Sequence, residues 1–283
     1  MDVIFEKAYA KLNLSLSVGS KRADGFHELE SVMTEAGIYD GVTVSFPPGS
    51  VSGSSEAGGV RLICTGLPFP DGESKNNLAF RAAEIYCAAA GISPEAEIVI
   101  EKKIPLCGGL GGGSADAAAV LRAFEKHFGA LGEEKLLSAA ASLGSDVPFC
   151  VIGGTALCTG RGEKMTVLSA PSFREFRTVI VRGGEKLSTA DSYRRLDESA
   201  GNRAARDSKR LIDALCSDTD TLCRVGKETF NDFELIYPTC AAIKEKLLGF
   251  GAFAAGLCGS GPNVFGMFED EQAAQDAEEF FSK

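Results

Sequence analysis

The chain has 283 residues, 45% hydrophobic and 24% charged, which is ordinary usage for a globular protein with a sizeable core and excludes disorder as its main state. Lys and Arg number 29 against 39 Asp and Glu, and a net charge of −10 excludes a sequence-independent nucleic-acid binder, whose phosphate contacts need clustered basic residues. At roughly 150 residues per domain this length divides into two, and we expect them to span 1–160 and 161–283.

From the N-terminus, Leu12, Leu14, Leu16 and Val18 alternate with Asn13, Ser15 and Ser17, the period-two pattern of a half-buried strand. Further strands are predicted over residues 37–46, 60–64 and 96–104. Between two of them lie residues 49–59, eight of eleven Gly or Ser, which read as a mobile hairpin loop. A helix is predicted from Asn76 as N-cap, with Leu78, Ala82, Ile85 and Ala89 on one stripe and Gly91 closing it. A second follows Gly113, capped by Ser114, with Ala117, Val120, Leu121, Phe124 and Phe128 as its stripe, and a third covers 133–143. The second half contributes a strand over 177–182 and helices around 207–216, 221–231 and 240–248. Two short strands, 253–258 and 263–268, meet at a glycine turn before a last helix, 271–281. Strands and helices mix without a regular βαβ rhythm, so the expected class is α+β.

No apolar run approaches the roughly 18–20 residues that span a bilayer, and Glu6, Lys7 and Lys11 interrupt what would be the uncharged core of a signal peptide. A cytoplasmic chain is expected. The nine cysteines form no C-x-x-C pair, and Cys87, Cys107, Cys150, Cys158, Cys216, Cys240 and Cys258 sit in apolar or Ala/Gly surroundings, as reduced core thiols do. With only His27 and His127 and no Cys/His cluster, no zinc site is expected.

Five of the six residues from Gly108 to Gly113 are glycine, after a predicted strand and before a predicted helix. Such a loop can turn its N–H groups inward, and the helix N-terminus adds unpaired donors and the positive end of its dipole, so anion binding is favoured over a plain tight turn. The P-loop pattern fails because no Lys follows the last glycine, and the dinucleotide pattern fails for want of a βαβ context.

The segment Pro105-Leu-Cys-Gly-Gly-Leu-Gly-Gly-Gly-Ser114-Ala-Asp116-Ala-Ala resembles the glycine signature of the GHMP small-molecule kinases. Ala8-Tyr-Ala-Lys11-Leu-Asn13 resembles that family's N-terminal strand motif, and Gly256-Leu-Cys-Gly259-Ser-Gly261 its C-terminal glycine motif. Lys21-Arg-Ala-Asp-Gly-Phe26-His27 and Gly144-Ser-Asp146-Val-Pro-Phe are similar to segments of the branch that acts on 4-diphosphocytidyl-2-C-methyl-D-erythritol in non-mevalonate isoprenoid synthesis, with Phe26 where that branch commonly has Tyr and Ala115 where it commonly has Ser.

The resemblance implies a domain like the second domain of ribosomal protein S5 followed by a ferredoxin-like domain, and ATP-dependent phosphorylation of an alcohol with Mg²⁺. It makes Lys11 the catalytic lysine and Asp146 the general base; a surface ion pair and a helix cap are their other readings. ATP would lie on Pro105, Gly108, Gly109, Leu110, Gly111, Gly112, Gly113 and Ser114, the last also a magnesium ligand or donor. Asn77 and Lys102 would lie near the adenine, unless they are solvated element ends. Asp116 is expected to be structural or to act on Mg²⁺ through water. The alcohol, a small-molecule substrate, would meet Asn13, Phe26, His27, Thr189 and Tyr193. Eight Lys or Arg against five acids between 182 and 210 suit either a substrate diphosphate or a solvated face. Another GHMP kinase, for homoserine or a sugar, and a silent nucleotide-binding regulator are the alternatives.

Overall fold

The structure, a computed structural model, describes residues 1–48, 59–67, 75–106, 108–199, 206–217 and 221–282. In chain order the elements are β1 (Asp2–Lys21), β2 (His27–Phe46), β3 (Val60–Gly66), α1 (Leu78–Ala90), β4 (Ala96–Lys102), α2 (Gly112–Phe128), α3 (Gly132–Leu143) and α4 (Val147–Ile152). They continue with β5 (Thr155–Gly160), β6 (Lys164–Val167), β7 (Arg177–Arg182), α5 (Thr189–Glu198), α6 (Lys209–Leu215), α7 (Thr221–Glu228), β8 (Phe230–Asn231), α8 (Thr239–Gly249), β9 (Ala254–Leu257), β10 (Asn263–Phe268) and α9 (Glu271–Phe281). No helix among the described residues is long and apolar enough to cross a membrane.

The chain forms two compact units that interleave in sequence. The first takes Met1–Ala10, Ile38–Leu106 and Gly111–Gly153, and the second Lys11–Gly37, Cys107–Leu110 and Gly154–Lys283. In the first unit β4 pairs antiparallel with β2 (Gly41↔Glu101) and parallel with β3 (Ala96↔Val60). The expected hairpin is therefore not formed: β4 lies between β2 and β3, and the mobility expected of residues 49–59 falls almost wholly outside the described residues.

Ile98 and Ile100 of β4 and Val42 and Val44 of β2 are fully buried, the alternate face of a β-branched sheet meeting a helical layer. That layer is alanine-rich. Helix α2 buries Ala115, Ala117, Ala118, Ala119, Val120, Leu121, Ala123 and Phe124, wider than the expected stripe, and Phe124 meets Phe46 edge-on at 5.2 Å. Helix α1 is capped by Asn77, whose side chain accepts from Ala79 N, and not by Asn76. Its buried face is Ala79, Ala82, Ala83 and Tyr86, one step round from the predicted stripe, while Leu78 and Ile85 are half-buried and Ala89 is exposed. Two helices that pack closely turn small side chains toward each other, so the larger Leu and Ile lose the central positions.

In the second unit β10 is the centre of an antiparallel sheet, with β7 on one side (Arg182↔Asn263) and β9 on the other (Leu257↔Val264). Val179, Val181, Leu257, Val264 and Phe268 from this sheet share a core with Leu247 of α8 and Ala274 and Ala277 of α9. The same unit pairs β5 with β2 (Met33↔Ala156) and with β6, and β1 with β8 in parallel (Ser15↔Phe230). The predicted 221–231 helix ends at Glu228 because the chain joins β1 as β8.

Residues 10–16 of β1 are buried on both faces, which corrects the half-buried expectation. The polar alternates satisfy one another instead of water: Lys11 donates to Asn13, Asn13 donates to Ser31, and Ser15 shares a hydrogen bond with Ser208 at 2.7 Å. The described cysteines are all free thiols, yet Cys216 and Cys223 are exposed, so Cys216 does not belong to the core.

Candidate active site

In the second unit two turns far from β1 in sequence close on Lys11. Its backbone N–H donates to the carbonyl of Leu110, at the middle of the glycine run, at 2.9 Å. Its side chain is buried at 5% exposure, and Nζ donates to Asn13 Oδ1 at 2.8 Å. A Cβ on Gly259 would lie 3.3 Å from that Nζ and 3.0 Å from the Gly109 carbonyl. A Cβ on Gly109, where φ is +78°, would collide with the Cys258 carbonyl, and one on Gly108 with the Asn263 side chain. The glycines are thus needed for close approach of two turns to one ammonium. Asn231 fixes the second turn by donating from Nδ2 to the carbonyls of Leu257 and Gly259 at 2.9 and 2.8 Å. Sequence reading missed Asn231, whose signal, a lone amide in an expected helix, was weak.

The other half of the glycine run belongs to the first unit. Gly111, left-handed at φ 69°, occupies the N-cap position of α2, with no side-chain cap hydrogen bond. Ser114 is therefore a half-buried residue of the first turn and not the cap. The N–H groups of Gly112, Gly113 and Ser114 have no intrahelical acceptor, so an anion meets three donors and the dipole's positive end. Pro105 is half-buried ahead of this run, and Leu110 is buried within it.

Lys102 and Asn77 are not solvated ends. Asn77 is buried as the α1 cap. Lys102, at 2% exposure, donates from Nζ to Asp40 Oδ2 at 2.5 Å and to Asp116 Oδ2 at 2.6 Å, and a Cβ on Gly112 would sit 3.5 Å from the ammonium. Burial pushes the Lys102 pKa down, but Asp116 and Asp40 outweigh it and hold it above the usual range. Burial raises the Asp116 carboxyl against the pull of Lys102, and Asp40 raises it further; its Oδ1 has no hydrogen-bond partner. Asp40 was missed. A lone acid inside the predicted 37–46 strand, between Tyr39 and Val42, was the available signal.

Asp146 stands at the N-cap position of α4, half-buried, and its side chain makes no capping hydrogen bond, so the plain cap reading lacks its defining contact.

The chain matches the profile described as "GHMP kinases N terminal domain" over residues 77–154 and that described as "GHMP kinases C terminal" over 204–283. It is 40% identical to the 4-diphosphocytidyl-2-C-methyl-D-erythritol kinase of Moorella thermoacetica over 97% of this chain and 93% of that one. The chain belongs to the GHMP kinase family. It is an enzyme that phosphorylates an alcohol of a small molecule at the expense of ATP. A Clostridium kluyveri protein of the same name is 37% identical over 95% of this GHMP kinase and 92% of its own length. A crystal structure of 4-(cytidine 5'-diphospho)-2C-methyl-D-erythritol kinase superposes with a TM-score of 0.78 and 29% identity, covering 99% of this chain and 95% of that one. Homoserine kinase from Cytophaga hutchinsonii, at 20% identity and a TM-score of 0.67 over 100% and 91% of the two chains, shares the fold.

Within the second unit of this GHMP kinase the substrate candidates divide. His27 is buried, stacks on Tyr193 at 4.9 Å and 19°, and bonds through Nε2 to Asp197 Oδ1 at 2.9 Å. Tyr193 and Asp197 are one helical turn apart on α5, which places both against the ring. Ser188 caps that helix, and Thr189 is its exposed first residue. Phe26 is exposed, with the Arg161 guanidinium 4.9 Å above its ring. In the basic stretch Arg194 bonds to Asp191 and Glu198 on the helix surface, as a solvated face does.

Proposed function

We propose that this GHMP kinase transfers the γ-phosphoryl group of ATP to the 2-hydroxyl of 4-diphosphocytidyl-2-C-methyl-D-erythritol, in the non-mevalonate route to isoprenoid precursors. The observation that carries the phosphoryl half is the convergence of Leu110, Gly109 and Gly259 on Lys11. The relatives at 37–40% identity over nearly the whole chain, all bearing that substrate's name, support the alcohol. In this reading the N–H groups of the glycine run and of the α2 start hold the phosphates, and Lys11 neutralises charge on the group in flight. The substrate oxygen bonds to the γ-phosphorus as the bridging bond to ADP breaks, and Asp146 takes the hydroxyl proton.

Mg²⁺ fits the residues present. A magnesium ion on a nucleotide takes phosphate and water oxygens and one or two protein oxygens, so the absence of a cluster of three His, Cys or acidic groups among the described residues does not count against it. Ser114 and Asp116, with its unpartnered Oδ1, are the groups that would hold it. When bound it supplies charge neutralisation on the phosphates. For the cytidine end, the His27–Tyr193 pair offers a stacking face and a ring nitrogen for a base edge. Thr189, Phe26 and Asn13 complete the proposed substrate set.

One assay tests the reading: ADP release from Mg·ATP with 4-diphosphocytidyl-2-C-methyl-D-erythritol, homoserine or mevalonate as acceptor. Turnover is expected with the first alone. Release with another acceptor reassigns the substrate, and tight ATP binding with no transfer to any alcohol favours a silent regulator.

A further inference from the structure

Asp40 is fully buried on β2, and both of its carboxylate oxygens are engaged. Oδ1 accepts the backbone N–H of Lys103 at 2.5 Å and of Ile104 at 2.8 Å, the last residues before Pro105 and the glycine run. Oδ2 accepts from Lys102 Nζ, and that ammonium reaches Asp116 in α2 and lies beside Gly112, where the run becomes helix. A single carboxylate therefore pins the entrance of segment 103–112 directly and its exit through Lys102. The main chain at Lys102 is enclosed from a third side. Leu67 N–H donates to the Lys102 carbonyl at 3.0 Å, and Gly66, at φ +84°, lies where a Cβ would strike it.

Two buried carboxylates around one ammonium are a poor way to gain stability. Ion desolvation costs several kcal/mol per group, and apolar residues of the same volume commonly do as well. What the arrangement supplies is a fixed geometry for backbone donors, which preorganises an anion site.

We propose that Asp40 is a positioning residue for nucleotide binding, holding the glycine run in its phosphate-receiving form through the N–H groups of Lys103 and Ile104 and through Lys102. This rests on the reading of that run as a nucleotide site. Asp40→Asn separates the two connections: an Asn oxygen still accepts from the two N–H groups, but its NH₂ faces the Lys102 ammonium donor to donor. The test combines ADP binding and the KM for ATP and for the alcohol with amide hydrogen exchange of peptide 103–113 in nucleotide-free enzyme. In folded Asp40→Asn the ADP Kd and the KM for ATP rise about tenfold, the scale of one charge-assisted hydrogen bond. The KM for the alcohol stays within about twofold, and exchange in 103–113 accelerates relative to the β9–β10 peptides. A KM for ATP at the unaltered value, an equal rise in both KM values, or unchanged exchange overturns the proposal. Should the variant not fold, the unaltered enzyme decides: slow exchange at Lys103 and Ile104 without nucleotide supports the lock, and exchange as fast as at exposed loop amides overturns it. Failure of the unaltered enzyme to bind ADP would sink the nucleotide reading instead, and the exchange data would still decide whether the lock exists.

Discussion

Lys11 and Asn13 stand two residues apart on β1, on one side of the strand, and Nζ of the first donates to Oδ1 of the second at 2.8 Å. Asn13 passes the connection to Ser31 Oγ, which donates to the Ser15 carbonyl at 2.6 Å. The ammonium is thus aimed along one side of β1 by a chain of buried polar groups. Lys11→Met should lower kcat by about 10² to 10³, the scale for removing one transition-state donor. Leaving Asn13 short of a partner should in addition cost about 1–3 kcal/mol in stability, read from thermal melting.

Asp146→Asn separates a base from a cap. The side chain makes no capping hydrogen bond, so the substitution removes no cap contact. Turnover should fall about 10²-fold or more if the carboxylate takes the hydroxyl proton. Near-normal turnover would return the residue to a structural role.

Gly109 and Gly113 respond differently to alanine. Gly109→Ala requires a left-handed alanine whose Cβ meets the Cys258 carbonyl, and it should cost about 1–3 kcal/mol in stability together with nucleotide affinity. Gly113→Ala, inside α2 with its nearest neighbour Leu78 Cδ1 at 3.6 Å, should gain about 0.5–1 kcal/mol from helix propensity. Denaturant melts of the two variants check the contrast.

Tyr193→Ala removes the ring that stacks on His27. The KM for the cytidine-bearing alcohol should rise about tenfold, in line with 0.5–1.5 kcal/mol for an aromatic pair plus its buried area, with the KM for ATP little changed. Tyr193→Phe keeps the face and should stay near the unaltered value. Equal effects on both KM values would detach Tyr193 from the alcohol.

Thiol reactivity follows burial. Burial pushes the Cys240 thiol up to about 12 and the Cys87 thiol up to about 11, and it raises Cys258 further still, against the pull of Lys11. A raised thiol pKa lowers the thiolate fraction at any working pH, and the thiolate is the nucleophile. Alkylation at pH 8 followed by peptide mass analysis should label Cys216 and Cys223 first and leave Cys258 unmodified until the protein unfolds.

The α+β class, helices α2, α3 and α9 and strands β7 and β10 were legible in the sequence because each repeats its pattern over enough residues for periodicity to speak. The glycine run was legible as a strand-to-helix turn because close backbone approach needs glycine at fixed positions, whereas the roles given to Lys11 and Asp146 rest on the family resemblance. Short elements were not: α4, β5, β6 and β8 owe their form to neighbours, and α5, behind its cap Ser188, is absent from the helices expected of the second half. Sequence by itself supplied the glycine run and the ring-bearing candidates Phe26, His27 and Tyr193. Only tertiary structure decided that β4 separates β2 from β3, that Gly111 and not Ser114 begins α2, and that Lys102 is buried between Asp40 and Asp116. The physical reason is one of range. Propensity and spacing act within a turn or two of chain, whereas the partner of a buried charge is chosen by which elements pack together, 62 residues apart for Asp40 and Lys102.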